Sequence, residues 1–153
     1  MPSEALFSPG NSCRNTIIRY LSASKSNVKI CVFTISDDLI TEAIINAKQR
    51  GVKVLIVTDN DKLYDLGSDI IRIAREGILT RIDNTSNHMH HKFMIVDDQV
   101  LVNGSYNWTR SAANYNQENI IVSREKELIR LFNTEFDKLW NDMVPFDANS
   151  VKG

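Results

Sequence analysis

Residues 88–107 read His88-Met89-His90-His91-Lys92-Phe93-Met94-Ile95-Val96-Asp97-Asp98-Gln99-Val100-Leu101-Val102-Asn103-Gly104-Ser105-Tyr106-Asn107, and they hold every histidine of the chain. Two apolar runs flank Asp97-Asp98-Gln99, the pattern of an antiparallel hairpin with a tight turn. A turn centred on Asp98 and Gln99 sets Val96 opposite Leu101. The same register sets Lys92 opposite Ser105 and His90 opposite Asn107, with facing Cβ atoms ~5 Å apart. His90 and Lys92 share a face because strand side chains alternate. An imidazole, an ammonium, a hydroxyl and a carboxamide thus converge on one patch, where Gly104 is expected to let backbone and substrate approach closely.

Outward from the hairpin, helical and strand patterns alternate. Ser12 is a candidate cap for a helix carrying Ile17, Ile18, Tyr20 and Leu21. Lys29–Ile35 reads as a buried strand, being short, β-branched and bounded by polar residues. Ser36 then caps a helix with Asp37 and Asp38 in its first turn, an apolar stripe from Leu39 to Ala47, and Gly51 at its end. Val52–Val57 is a second strand, parallel to the first because a helix joins them. Ser68 caps a third helix stopped by Gly77, Ile78–Ile82 is another strand, and Ser123 caps an amphipathic helix through Leu128, Phe132, Phe136 and Trp140. The expected fold is α/β, one domain over residues 1–153, with a mixed central sheet flanked by helices on both faces.

With 153 residues, 42% of them hydrophobic, the chain is long enough to bury a core without staples. Its 18 Lys+Arg against 19 Asp+Glu give a net charge of −1, which argues against a polycation that holds nucleic acid or membrane by bulk charge. Cys13 and Cys31 fit no metal or redox spacing and read as structural thiols in a reducing compartment. No stretch approaches the ~18 apolar residues of a membrane span, and no signal segment is evident, so a cytoplasmic location is expected.

The groups gathered by the hairpin suit a phosphodiester. Lys92 and Asn107 can hold non-bridging oxygens, and a neutral imidazole can attack phosphorus or protonate a leaving oxygen near neutral pH. His90-x-Lys92-x4-Asp97 followed by x6-Gly104-Ser105-x-Asn107 resembles the HKD motif of the phospholipase D superfamily at every defining position. Asn116-Gln117-Glu118-Asn119 resembles the downstream acidic site of that family. Phe7-Ser8-Pro9, the element order and the length resemble its single-motif bacterial endonucleases. The branch of mitochondrial cardiolipin hydrolases and piRNA-processing nucleases is also similar, although its N-terminal anchor and Cys/His insertion have no counterpart here.

The resemblance implies a phospholipase D-like sandwich and a homodimer, because the chemistry uses two motifs and this chain has one. It implies that His90 forms a phosphohistidine, that the second His90 protonates the leaving oxygen, and that Lys92, Asn107 and Ser105 bind the phosphate. It also implies that Glu118 accepts a hydrogen bond from His90. No metal and no cofactor are required. Asp97 belongs to the motif, but its turn position favours a structural role.

Bland readings stand beside these. Ser105 suits a turn equally well, and Glu118 suits a surface ion pair. His88 and His90 with Asp97 or Glu118 mimic a zinc set, against which the Lys92 charge acts. His91 points to the opposite face. Tyr106 and Trp108 suit either base stacking or the core, and Arg81 and Arg110 suit either flanking phosphates or ordinary surface. The leading expectation is a metal-independent, non-specific endonuclease acting on DNA or RNA without stable membrane insertion. The alternatives are a phospholipase D-type cardiolipin hydrolase and a non-catalytic dimeric nucleic-acid-binding module.

Overall fold

A computed structural model describes residues 2–150, apart from the side chains of Lys62 and Ser150. The described strands are β1 (Glu4–Ser8), β2 (Asn27–Val32), β3 (Lys53–Thr58), β4 (Leu79–Ile82), β5 (Lys92–Val96), β6 (Val100–Gly104), β7 (Glu118–Ser123) and β8 (Val144–Pro145). They form one sheet in the order β1-β7-β6-β5-β2-β3-β4-β8. β2, β3 and β4 run parallel, and the remaining pairings are antiparallel, so the sheet is mixed. The helices are α1 (Ser12–Ala23), α2 (Asp38–Gln49), α3 (Ile70–Arg75), α4 (Arg110–Asn114) and α5 (Lys126–Asp142).

Strand alternation sorts the core into two layers. Val28, Ile30, Val32, Met94, Val96, Val102 and Val122 pack with Ile17, Leu21, Ile40 and Ile44 of α1 and α2. Cys31, Val57, Phe93, Ile95 and Leu101 point the other way, against Ile129 and Phe136 of α5. Helices therefore cover both faces. Both cysteines are free and buried; burial pushes the Cys13 thiol up to about 11 and the Cys31 thiol higher still, which keeps them inert.

The helix starts differ from the sequence reading at each serine. The Ser36 position gives way to Asp37, whose carboxylate accepts the Leu39 N–H at 3.0 Å and pairs with Arg14 at 2.7 Å in the interior. Asp69 holds the cap position of α3 without a side-chain bond to the helix, and Ser68 Oγ, one residue earlier, accepts the Ile70 N–H at 3.5 Å; Glu125 replaces Ser123, accepting from Glu127 and Leu128. Ser12 lies inside α1, after Asn11. At α2 and α5 the side chain that takes the cap is a carboxylate, which the N-terminal dipole also favours.

The hairpin register is the larger correction. Val96 pairs with Val100 rather than Leu101. The turn is centred on Asp97 and Asp98, both left-handed with φ of 54° and 52°, and the Gln99 N–H donates to the Val96 carbonyl at 2.9 Å. Asp97 draws the turn to this place by accepting the backbone N–H groups of Lys25, Ser26 and Asn27 at 3.0, 2.7 and 3.0 Å. A slip of one residue reverses which side chains share a face. Continued one step beyond the Phe93–Asn103 pair, the ladder sets Lys92 across from Gly104, not Ser105.

Candidate active site

The strand order brings the ends of β1, β2, β3, β4 and β6 and the starts of β5 and β7 to one edge of the sheet, the edge where ligands bind in open α/β sheets. His90 lies there, in the irregular segment 88–91 that leads into β5. Its backbone is fixed on both sides. The Met89 N–H donates to Asp59 Oδ1 at 2.8 Å, and the His91 carbonyl accepts the Phe33 N–H at 2.9 Å. The imidazole rests on the Phe33 ring with centroids 4.5 Å apart.

Lys92 Nζ lies 2.8 Å from His90 Nδ1 and donates to the His90 carbonyl at 2.9 Å. An ammonium has no lone pair, so this contact makes Nδ1 the acceptor and leaves the ring proton of a neutral His90 on Nε2. Burial, then the Lys92 charge, hold the His90 imidazole below its ordinary value. Burial likewise lowers Lys92, while the Glu118 carboxylate acts to raise it. The pair is thus biased toward a neutral imidazole beside a cation. The signs give a pH prediction: if neutral His90 attacks and charged Lys92 holds phosphate, kcat/KM rises on an acidic limb below the usual imidazole range. It falls on an alkaline limb still within the imidazole range, where the second His90 of a shared site loses the proton it must give to the leaving oxygen, before Lys92 titrates. Rates measured across the pH range in constant-ionic-strength buffers check both limbs.

Beside these groups is an open cleft of about 240 Å³ whose lining includes His90, Lys92, Gly104, Ser105 and Phe132. Ser105 arrives just beyond the end of β6 rather than as the cross-strand neighbour of Lys92. Its Oγ accepts the Asn119 N–H at 3.2 Å, which leaves its proton available to an anion. Asn107 does not line this cleft, although its Oδ1 is buried and has no hydrogen-bond partner among the described residues. Tyr106 and Trp108 alternate inward at 1% and 2% exposure and anchor this loop in the core, which rules out base stacking in this conformation. Gly104 serves β7: a Cβ there would lie 2.1 Å from the Asn119 carbonyl oxygen, so the close approach is backbone to backbone rather than backbone to substrate.

The other sequence candidates separate. Glu118 makes no hydrogen bond to His90 within the chain; its described side-chain bond comes from Asn116 Nδ2, at 3.5 Å. Asp97 sits at the far end of β5, five residues or ~16 Å from Lys92, in its turn-holding role. Arg81 donates to the Trp140 carbonyl and stacks on its ring, and Arg110 pairs with Asp38. His91 packs edge-on to Phe93, on the α5 side. The zinc set envisaged around His88 does not assemble with Asp97 or Glu118. His88 Nδ1 instead faces Asp59 Oδ2 at 3.4 Å and Asp61 Oδ2 at 3.5 Å, the one trio with ligand-like spacing among the described residues. Asp59 in that trio is already committed to the Met89 and Asp61 amides.

Phe33 and Asp59 escaped the sequence reading. Both follow strands that end at the site edge, and only the strand order brings them beside His90.

The sheet, its two helical layers and the HKD segment at the strand ends define a phospholipase D-like domain. Residues 17–140 match the family described as cardiolipin synthase, PLD-like domain, and the chain belongs to that family within the phospholipase D superfamily. The chain is 45% identical over 122 residues to a mitochondrial cardiolipin hydrolase of Chlamydomonas reinhardtii, covering 80% of this chain and 55% of that protein. Against the human mitochondrial cardiolipin hydrolase it is 38% identical over 136 residues, covering 89% and 54%. It spans about half the length of these relatives. The phospholipase D family member Nuc from Salmonella typhimurium superposes with a TM-score of 0.89 at 28% identity, covering 95% of this chain and 97% of Nuc. No described helix is long and apolar enough to cross a membrane.

Proposed function

We propose that this domain is a metal-independent phosphodiesterase that cleaves DNA or RNA through a phosphohistidine on His90, in an active site shared by two copies of the chain. The observation that carries the reading is the His90–Lys92 pair: an imidazole biased to its neutral form beside an ammonium, at the mouth of an open polar cleft. Once the Lys92 ammonium has turned from Nδ1 to the substrate phosphate and the ring proton has moved from Nε2 to Nδ1, His90 Nε2 attacks phosphorus as the bond to the leaving oxygen breaks. The protonated His90 of the partner subunit gives its proton to that oxygen. Water, deprotonated by the same partner imidazole, then attacks phosphorus and breaks the P–N bond. Lys92, Ser105 and Asn107 stabilise the charge that develops on the non-bridging oxygens. Glu118 supports Lys92 electrostatically. Asp97 contributes by fixing the hairpin that carries Lys92.

A second reading, hydrolysis of cardiolipin, is favoured by the names of the relatives and by exposed Tyr64 and Leu66 on the β3–α3 loop, which follows β3 at the site edge. The same phosphodiester chemistry serves both. The two free buried thiols fit a reducing compartment, consistent with a cytoplasmic protein.

Incubation in EDTA with single-stranded DNA, duplex DNA, RNA and cardiolipin vesicles is expected to consume nucleic acid. Consumption of cardiolipin alone supports the second reading, and an absolute need for a divalent ion contradicts both. Subunit mixing tests the shared site. After exchange of equal amounts of wild-type and His90→Ala chains, activity per total chain falls to about one quarter of wild type if each shared site needs both histidines, to about three quarters if one histidine suffices in a shared site, and to about one half if each chain carries its own site.

A further inference from the structure

We propose that Asp59 is a positioning residue for His90, a role that rests on His90 as the reacting imidazole. Asp59 follows β3, while His90 precedes β5, and β2 lies between those strands. The Asp59 carboxylate crosses the end of β2 to grip the segment 88–91. Its Oδ1 accepts the Met89 N–H at 2.8 Å, and its Oδ2 accepts the Asp61 N–H at 3.0 Å and faces His88 Nδ1 at 3.4 Å. The carboxylate is fully buried, and no lysine or arginine is paired with it among the described residues.

Its geometry matters because so little else holds His90. The imidazole is exposed and touches Phe33 and the ammonium of Lys92, so its place depends on the backbone on either side. Asp59 fixes that backbone one residue before His90, and Phe33 fixes it one residue after. His88, held by Asp59 and Asp61, packs edge-on to Phe33 at 5.3 Å and completes the wall beneath the His90 ring. The charges facing His90 are Lys92, His88 and His91, which disfavour its protonation, and Asp59, which favours it. Asp83, buried at the end of β4, faces Asp59 from the other side, and its carboxyl is raised by burial and by Asp59. Asp59 thus sets both the position of the His90 ring and the negative charge behind it.

The test uses Asp59→Asn and Asp59→Glu in the full chain, with bis(p-nitrophenyl) phosphate as substrate and NMR titration of the three histidines as a readout independent of turnover. Asp59→Asn keeps the shape and removes the charge. Its kcat is expected to fall roughly 10–100-fold with little change in KM, as for a misplacement of about 1 Å. The His90 titration and the acidic limb of the rate profile should both move to lower pH. Asp59→Glu keeps the charge but displaces the oxygens, so kcat should fall while the His90 titration stays near wild type. Wild-type kcat with an unmoved titration in Asp59→Asn overturns the proposal, as does a loss of activity matched by the unfolded fraction. If Asp59→Asn yields no folded protein, amide exchange in the wild type decides. Slow exchange at Met89 supports the grip, and exchange as fast as at exposed loop amides overturns it. A His90 titration that shifts while His90→Ala remains active leaves the positioning intact and refutes the catalytic reading instead.

Discussion

His90→Ala is expected to reduce phosphodiester cleavage by on the order of 10⁴-fold or more, the scale seen when a covalent nucleophile is removed. Two roles are lost together, since in the shared site each His90 is either nucleophile or acid. In the proposed mechanism Lys92 and Ser105, which line the cleft, remain to bind phosphate, so KM or substrate affinity should change little. The imidazole is exposed and packs on one side only, so thermal stability should stay within about 0.5 kcal/mol of wild type. Turnover of the substrate panel in EDTA, measured beside a melting curve, checks both halves. A variant that still turns over at the wild-type rate removes His90 from the chemistry.

Gly104→Ala is expected to have the largest effect on stability of any single methyl group added at the site edge. The new Cβ would meet the Asn119 carbonyl oxygen at 2.1 Å, its carbonyl carbon at 2.9 Å and Ile120 Cα at 2.9 Å. All three atoms are backbone, so no rotamer relieves the clash. β6 and β7 must part at Gly104↔Ile120, which strains the ladder and displaces Ser105, whose N–H donates to that same Asn119 carbonyl. A loss of about 3 kcal/mol is the scale for overpacking of this kind, or roughly 6–12 °C in Tm for a chain of this size. Asn119→Gly should not rescue the variant, because the obstructing carbonyl stays. Denaturant titration of the single and double variants measures this. A Gly104→Ala protein as stable as wild type contradicts the close approach of the two strands.

These two positions also show what the sequence carries and where it stops. The β2-α2-β3 unit is legible because its periods and boundaries are local, and a connecting helix requires parallel strands. The hairpin itself is equally plain. Its register is not, because the turn is set by the Asp97 carboxylate bonding to backbone amides some 70 residues earlier in the chain. The slip of one residue explains why Ser105 and Asn107 do not meet Lys92 and His90 as cross-strand partners, but come from a loop anchored by Tyr106 and Trp108. β1 carries no strand signal strong enough to be read locally. It becomes a strand through Leu6 and its pairing with β7, far away in sequence. The residue types of the candidate site are thus carried by the resemblance to the HKD motif, while Phe33, Asp59 and the place of Gly104 require the strand order.

In the proposed mechanism His90 becomes covalently bonded to phosphorus. Rapid quenching of the wild-type protein in alkali during turnover of a ³²P-labelled oligonucleotide in EDTA, followed by peptide mapping, tests it directly. An acid-labile label is expected on the peptide carrying His90 and absent from His90→Ala. Efficient turnover with no labelled peptide at any quench time, or a label on another residue, would contradict it.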